Sequence, residues 1–146
     1  MACMAKTLAI IFGVILVLLG LLGFVSNPLI GANALFVADS VHNLIHIILG
    51  AVLLIVAFWA PTQSSLWLKI IGAIAFLLGL IGILTLPSSG GMLLGIAETN
   101  GASDWFHLIA GAIIFIAGMY GKDGMDRSMP PMQSGGMPPP GSQSAL

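Results

Sequence analysis

The chain carries one apolar pattern twice, and a duplication of this kind restricts the fold to two copies of a single unit. Gly13-Val-Ile-Leu-Val-Leu-Leu-Gly20-Leu-Leu-Gly23-Phe24 returns 59 positions later as Gly72-Ala-Ile-Ala-Phe-Leu-Leu-Gly79-Leu-Ile-Gly82-Ile83, with seven of twelve residues identical and all three glycines in register. The offset holds through Pro28/Pro87, Gly31/Gly90, Leu35/Leu94, Ala38/Ala97 and the acidic pair Asp39/Glu98. It then slips by two residues, so that Asn43-x-x-His46-x-x-x-Gly50-Ala51 matches Asp104-x-x-His107-x-x-x-Gly111-Ala112. A period of about 60 residues containing two apolar segments predicts a duplicated helical hairpin.

Composition says what surrounds those hairpins. Hydrophobic residues make up 58% of the chain and charged residues only 6%, where soluble domains carry roughly a quarter charged residues. Four apolar stretches, Thr7–Val25, Val41–Ala60, Trp67–Leu86 and Trp105–Tyr120, approach the roughly 20 residues that cross a hydrocarbon core. In lipid every backbone donor needs a partner within its own segment, so these stretches must be helices. The expectation is an all-α membrane protein of four transmembrane helices in two tandem hairpins. Its parts are a leader at 1–6, hairpin repeats at 7–60 and 67–120, a loop at 61–66 and a tail at 121–146. The first segment follows Lys6 but has no clean small-x-small cleavage site after it, so it is expected to persist as a helix rather than a signal peptide.

Orientation follows from the few basic residues. With four helices, the N-terminus, the Pro61–Ser65 loop and the C-terminus share a side, and Lys6, Lys69, Lys122 and Arg127 all lie on or near it. Asp39, Glu98 and Asp104 belong to the opposite side. The positive-inside rule places both termini in the cytoplasm, with Trp59, Trp67 and Tyr120 at the inner edge and Trp105 at the outer edge. A net charge of −1 without a basic cluster argues against nucleic acid as a partner. Cys3 is the single cysteine and forms no intrachain disulfide.

The tail is rich in Pro, Gly, Ser and Met and has no periodicity with which to fold alone. A Pro-rich segment of this kind is preordered for docking, so a partner subunit is the expected surface for it. Gly13, Gly20 and Gly23, and Gly72, Gly79 and Gly82, recur at intervals of seven and three. That spacing keeps each set on one helical face, and Gly50 and Gly111 offer the same on helices two and four. Glycine on a membrane helix lets two backbones approach closely.

The remaining polar residues gather at the outer starts of helices two and four. His42 and His46 are four apart and share a face, with Asn43 beside it, and Asp104 stands about one turn before His107. Three readings of these residues stay open. In the first, Ser40 or Asp39 and Ser103 or Asp104 cap the helices, while Asn43, His46, Asp104 and His107 serve as interhelical polar contacts. In the second, Asp39, His42, His46, Glu98, Asp104 and His107 assemble a site for zinc or another transition metal. In the third, His46 and His107 hold a haem between opposed helices. The first reading needs no cofactor and is the working expectation. A pseudo-twofold axis relating the hairpins could bring His46 and His107 together.

Asn43-Leu-x-His46-x-x-x-Gly50, with Asn27-Pro28 after helix one, resembles a bacterial family of four-helix membrane proteins catalogued as a domain of unknown function, in which helix two shows an Asn-x-x-His-x-x-x-Gly signature. The resemblance covers most of Ala5–Tyr120 and implies the inner (cytoplasmic) membrane as location, but no activity.

Motifs of catalysis such as Gly-x-Ser-x-Gly or His-Glu-x-x-His do not occur in the sequence, so the chain is read as a non-enzyme. The function expected is that of an accessory or scaffold subunit, associating with itself or with a larger membrane complex through its glycine-lined helices and tail. The rival classes are a small transporter, an oligomeric pore and a metal- or haem-binding protein.

Overall fold

The computed structural model describes residues 4–121. Four helices dominate it: α1 (Met4–Leu22), α2 (Ser40–Trp59), α3 (Ser64–Thr85) and α4 (Gly101–Tyr120). All four are long and apolar enough to cross a membrane, and each keeps its backbone hydrogen bonds inside the segment, as hydrocarbon requires. Large apolar side chains such as Leu18, Phe58, Leu84 and Ile109 point outward, which suits lipid and not water. The leader expected at 1–6 and the loop at 61–66 are shorter in the structure. Helix α1 already begins at Met4, where Ala5 is buried, and Pro61 opens a single 3₁₀ turn, Pro61–Gln63, that runs straight into α3. Proline at the start of a turn loses nothing, because that N–H has no helical acceptor in any case. The proposed docking of the tail falls on residues 122–146, outside the described ones.

Each hairpin is zipped by glycine. A Cβ on Gly13 would stand 3.0 Å from the Gly50 carbonyl oxygen, and one on Gly50 only 2.6 Å from that of Gly13. In the second hairpin Gly72 and Gly111 face each other in the same way, each 2.8 Å by this measure from the other's carbonyl oxygen. Nearer the end that holds the start of α2, Gly20 and Gly23 receive Asn43, while Gly79 and Gly82 receive Asp104. All eight glycines named from the sequence therefore pack within a hairpin.

The hairpins join around Ala9, Leu53, Ala57, Leu68, Ile71 and Ile114. This core lies toward the end that holds the N-terminus of α1 and the C-terminus of α4, where Ser65 Oγ donates to the Gly118 carbonyl at 2.8 Å. Trp67 packs against the core instead of standing free at the rim, whereas Trp59, Tyr120 and Trp105 are exposed as interfacial aromatics are.

One element departs from the all-α expectation. The connector Met92–Ala97 is a β-hairpin, with β1 (Gly91–Leu93) antiparallel to β2 (Ala97–Thr99). Its turn places Leu94 at φ 53 and Gly95 at φ 70, closed by the Ile96 amide on the Leu93 carbonyl at 3.0 Å. Two consecutive positive φ values mark the turn type whose twist suits paired strands. The usual Asn-Gly or Asp-Gly signal is replaced here by Leu-Gly, so the sequence does not announce it. Between α1 and α2, Asn27 organises the loop instead, accepting from the Leu29 and Ile30 amides at 2.8 and 2.9 Å.

Candidate metal centre

At the end of the bundle opposite the N-terminus of α1 and the C-terminus of α4, α2 and α4 deliver three imidazoles to one point. Asp39 caps α2 by accepting from the His42 amide at 2.8 Å, which fixes the first turn of α2. His42 and His46 then follow on one face, as their four-residue spacing requires. Asn100 caps α4 through the Ser103 amide at 3.0 Å, and His107 follows within two turns. This corrects the expectation that Ser103 or Asp104 would be the cap. Asn100 also reaches across to the first hairpin, donating to the Leu35 carbonyl at 3.1 Å, while Ser103 Oγ donates to that of Val37 at 3.1 Å. Those bonds dock the 29–38 loop of one hairpin on the helix start of the other, and that docking sets His107 against His42 and His46.

The trio is tight. Nε2 of His107 lies 3.4 Å from Nε2 of His42 and 3.4 Å from Nε2 of His46, and one nitrogen from each ring falls within 4.8 Å of the others. The other ring nitrogens decide what these short separations mean. His42 Nδ1 is 2.9 Å from the Glu98 carbonyl and His107 Nδ1 is 2.8 Å from the Ser103 carbonyl. A carbonyl only accepts, so both Nδ1 atoms carry the proton, and with no second proton on a ring its Nε2 presents a lone pair. Two lone pairs 3.4 Å apart are not a hydrogen bond. The spacing is compatible with two ligands of one cation. Two nitrogens bound at about 2.0–2.1 Å to a tetrahedral zinc stand roughly 3.3–3.4 Å apart. Backbone carbonyls that hold the far nitrogen are also the usual outer support of metal-bound histidine.

The remaining residues of the six-residue set are placed elsewhere. Asp39 is occupied as a cap, and Glu98 is exposed and contributes only its backbone carbonyl. Asp104 is buried against Gly82 and accepts from Thr99 Oγ1 at 2.8 Å. Asn43 is buried under Gly20 and Gly23, and its Oδ1 finds no partner among the described residues. Asn43 and Asp104 thus seat helices within their own hairpins instead of linking the two. His46 and His107 do meet, but His42 stands equally close to His107, so the contact is a trio and not a pair.

A haem between His46 and His107 does not fit. The two cavities that touch all three histidines measure about 130 and 100 Å³, below the roughly 300 Å³ at which pockets for drug-sized ligands begin. His42 also fills the space beside His107 that a macrocycle would need.

No curated protein and no solved structure matches the chain. A family described as "Domain of unknown function (DUF4383)" matches residues 6–120, a span that takes in all three histidines and reaches the end of α4. The chain belongs to this family.

Proposed function

We propose that the protein binds a divalent late first-row transition ion, zinc being the reference case, at the outer end of its membrane bundle through Nε2 of His42, His46 and His107. One observation carries the reading: Nε2 of His42 faces Nε2 of His107 at 3.4 Å while both Nδ1 protons are committed to carbonyls. Imidazole suits zinc, copper, nickel and iron, and hard oxygen-seeking ions much less. The proposal is for binding and not for catalysis. The accessory or scaffold reading draws less support, because the glycine faces on which it relied are used inside each hairpin. What remains of it rests on the tail. A pore through one protomer gains no support from the described residues, since Leu53, Leu68 and Ile71 fill the bundle toward the end that holds the N-terminus of α1.

Metal analysis tests the proposal. Protein purified without a histidine tag and equilibrated with micromolar zinc is expected to retain one ion per chain after gel filtration, and the triple variant His42→Ala/His46→Ala/His107→Ala to retain none. A wild-type protein that emerges metal-free would end the reading.

The same proposal includes a duplicated hairpin with both termini cytoplasmic, in a bacterial inner membrane. Matching contacts support the duplication, since Gly13–Gly50 and Gly72–Gly111 are equivalent approaches and Asn43 and Asp104 occupy equivalent glycine seats. The basic residues support the orientation. A cysteine at the exposed Ser89, in a Cys3→Ser background, is expected to react with a membrane-impermeant maleimide from the outer side only. Labelling confined to inverted vesicles would reverse the orientation.

A further inference from the structure

Resting on the metal reading, we infer that the ion's fourth position takes a small, weakly hydrated monoanion that enters from the outer face through the cavity between α1, the Leu29–Ala38 loop and the histidine trio. Three protein nitrogens converge, and among the described residues no Cys, Asp or Glu joins them. Structural zinc sites close with four protein ligands, whereas three histidines leave a position for an exogenous group. Two cavities adjoin that position. One, of about 130 Å³, is bounded by Leu19, Leu22, Ile30 and Phe36 and lies under the outer loop. The other, of about 100 Å³, runs inward past Leu49, Ile71 and Ala75 toward the core. The first adjoins the 29–38 loop, while the second touches the β-hairpin at Leu93, Ala97 and Thr99 but runs deeper, past Leu49 and Ile71.

Charge and polarity name the ligand class. Three neutral imidazoles leave the whole double charge on the ion. Asp104, the buried acidic residue among those described, stands a turn before His107 and offsets at most one unit of it. A monoanion completes the balance, and a buried charge is tolerated only when it is paired in this way. The cavity walls are almost wholly aliphatic and aromatic and offer few donors beyond the trio itself. An anion with a tightly held hydration shell, such as acetate or sulfate, would lose that shell without replacement. Azide or thiocyanate gives up little water, and either fits a space near the size of an engineered cavity that holds benzene.

Cobalt(II) gives the test a signal, because its visible d–d bands report coordination. Full-length protein in detergent micelles is loaded with cobalt and titrated with azide, thiocyanate, acetate and sulfate. The expected result is a saturable band shift with azide and thiocyanate at concentrations about tenfold or more below those that acetate requires. Leu19→Trp, which fills the outer cavity from a helix bearing no ligand, should weaken azide by about tenfold at unchanged cobalt stoichiometry, and Ala75→Phe on the inner side should not. Should Leu19→Trp fail to fold, the order of anions in the wild-type protein still decides. Cobalt bound with a spectrum indifferent to azide overturns the anion site and leaves the metal site standing. Azide binding that is untouched by Leu19→Trp but lost in Ala75→Phe overturns the outer route, and acetate binding as tightly as azide overturns the ligand class. Failure to take up cobalt removes the metal reading and this inference with it.

Discussion

If the trio binds zinc as proposed, replacing His107 with alanine is expected to lower zinc affinity by at least about 100-fold, because loss of an outer-shell support alone costs 10- to 100-fold and His107 would be lost as a ligand. It is also the ring that both other histidines approach at 3.4 Å. The readout that separates this from a plain stability defect is the metal dependence of unfolding. In the wild-type protein, zinc at 100 times its dissociation constant should add about 2.7 kcal/mol of stability. In His107→Ala the same zinc should add almost nothing. With a chelator present the variant should lose little, since truncating His107 also removes two facing lone pairs. If the histidines served only as interhelical hydrogen bonds, the variant would instead lose about 0.6–2 kcal/mol with or without metal. Urea unfolding in micelles, with zinc and with EDTA, distinguishes the two outcomes.

Alanine at Gly72 or Gly111 is expected to be the most damaging single-methyl change in the chain. A Cβ at either position meets the backbone of the facing helix, including the opposite glycine's carbonyl oxygen at 2.8 Å. Backbone cannot rotate away, so the helices must separate along their length. Overpacking a well-filled site typically costs about 1–3 kcal/mol, and these two positions should fall at the top of that range or beyond it. The double variant should cost clearly less than the sum, because the two methyls force the same separation. Gly91→Ala provides the contrast. There the new methyl meets only the flexible end of Leu86 at 3.3 Å, and the change should stay within about 0.5 kcal/mol. Equal losses at Gly91 and Gly72 would refute the glycine zipper.

Much of the architecture is written in single segments and so could be read without coordinates. The four apolar stretches had to be helices because lipid offers no backbone partner. The doubled Gly-x6-Gly-x2-Gly pattern marked faces for close helix approach but not that each is used inside its own hairpin, and His42 and His46 were bound to share a face by helix geometry alone. Helix ends were less legible. Asn100, Ser103 and Asp104 are all capable of capping α4, and only the path of the chain from β2 selects Asn100. The β-hairpin was hidden because its turn uses Leu94 in a left-handed conformation, a choice that propensity argues against.

The candidate site divides along the same line. The sequence by itself determined that His42, His46 and His107 would stand at one end of the bundle, each near the start of its helix, because helix period and span length allow nothing else. It left six possible ligands there, of equal standing. Only the tertiary structure decided which three converge. That choice depends on how one hairpin docks against the other through Asn100, Ser103 and the Leu35–Val37 backbone, and on which carbonyls take up the Nδ1 protons. Apart from His107 to the Ser103 carbonyl, which lies within α4, these are contacts between residues some sixty positions apart. No local pattern encodes them, because each is fixed by the packing of two separately formed helical pairs.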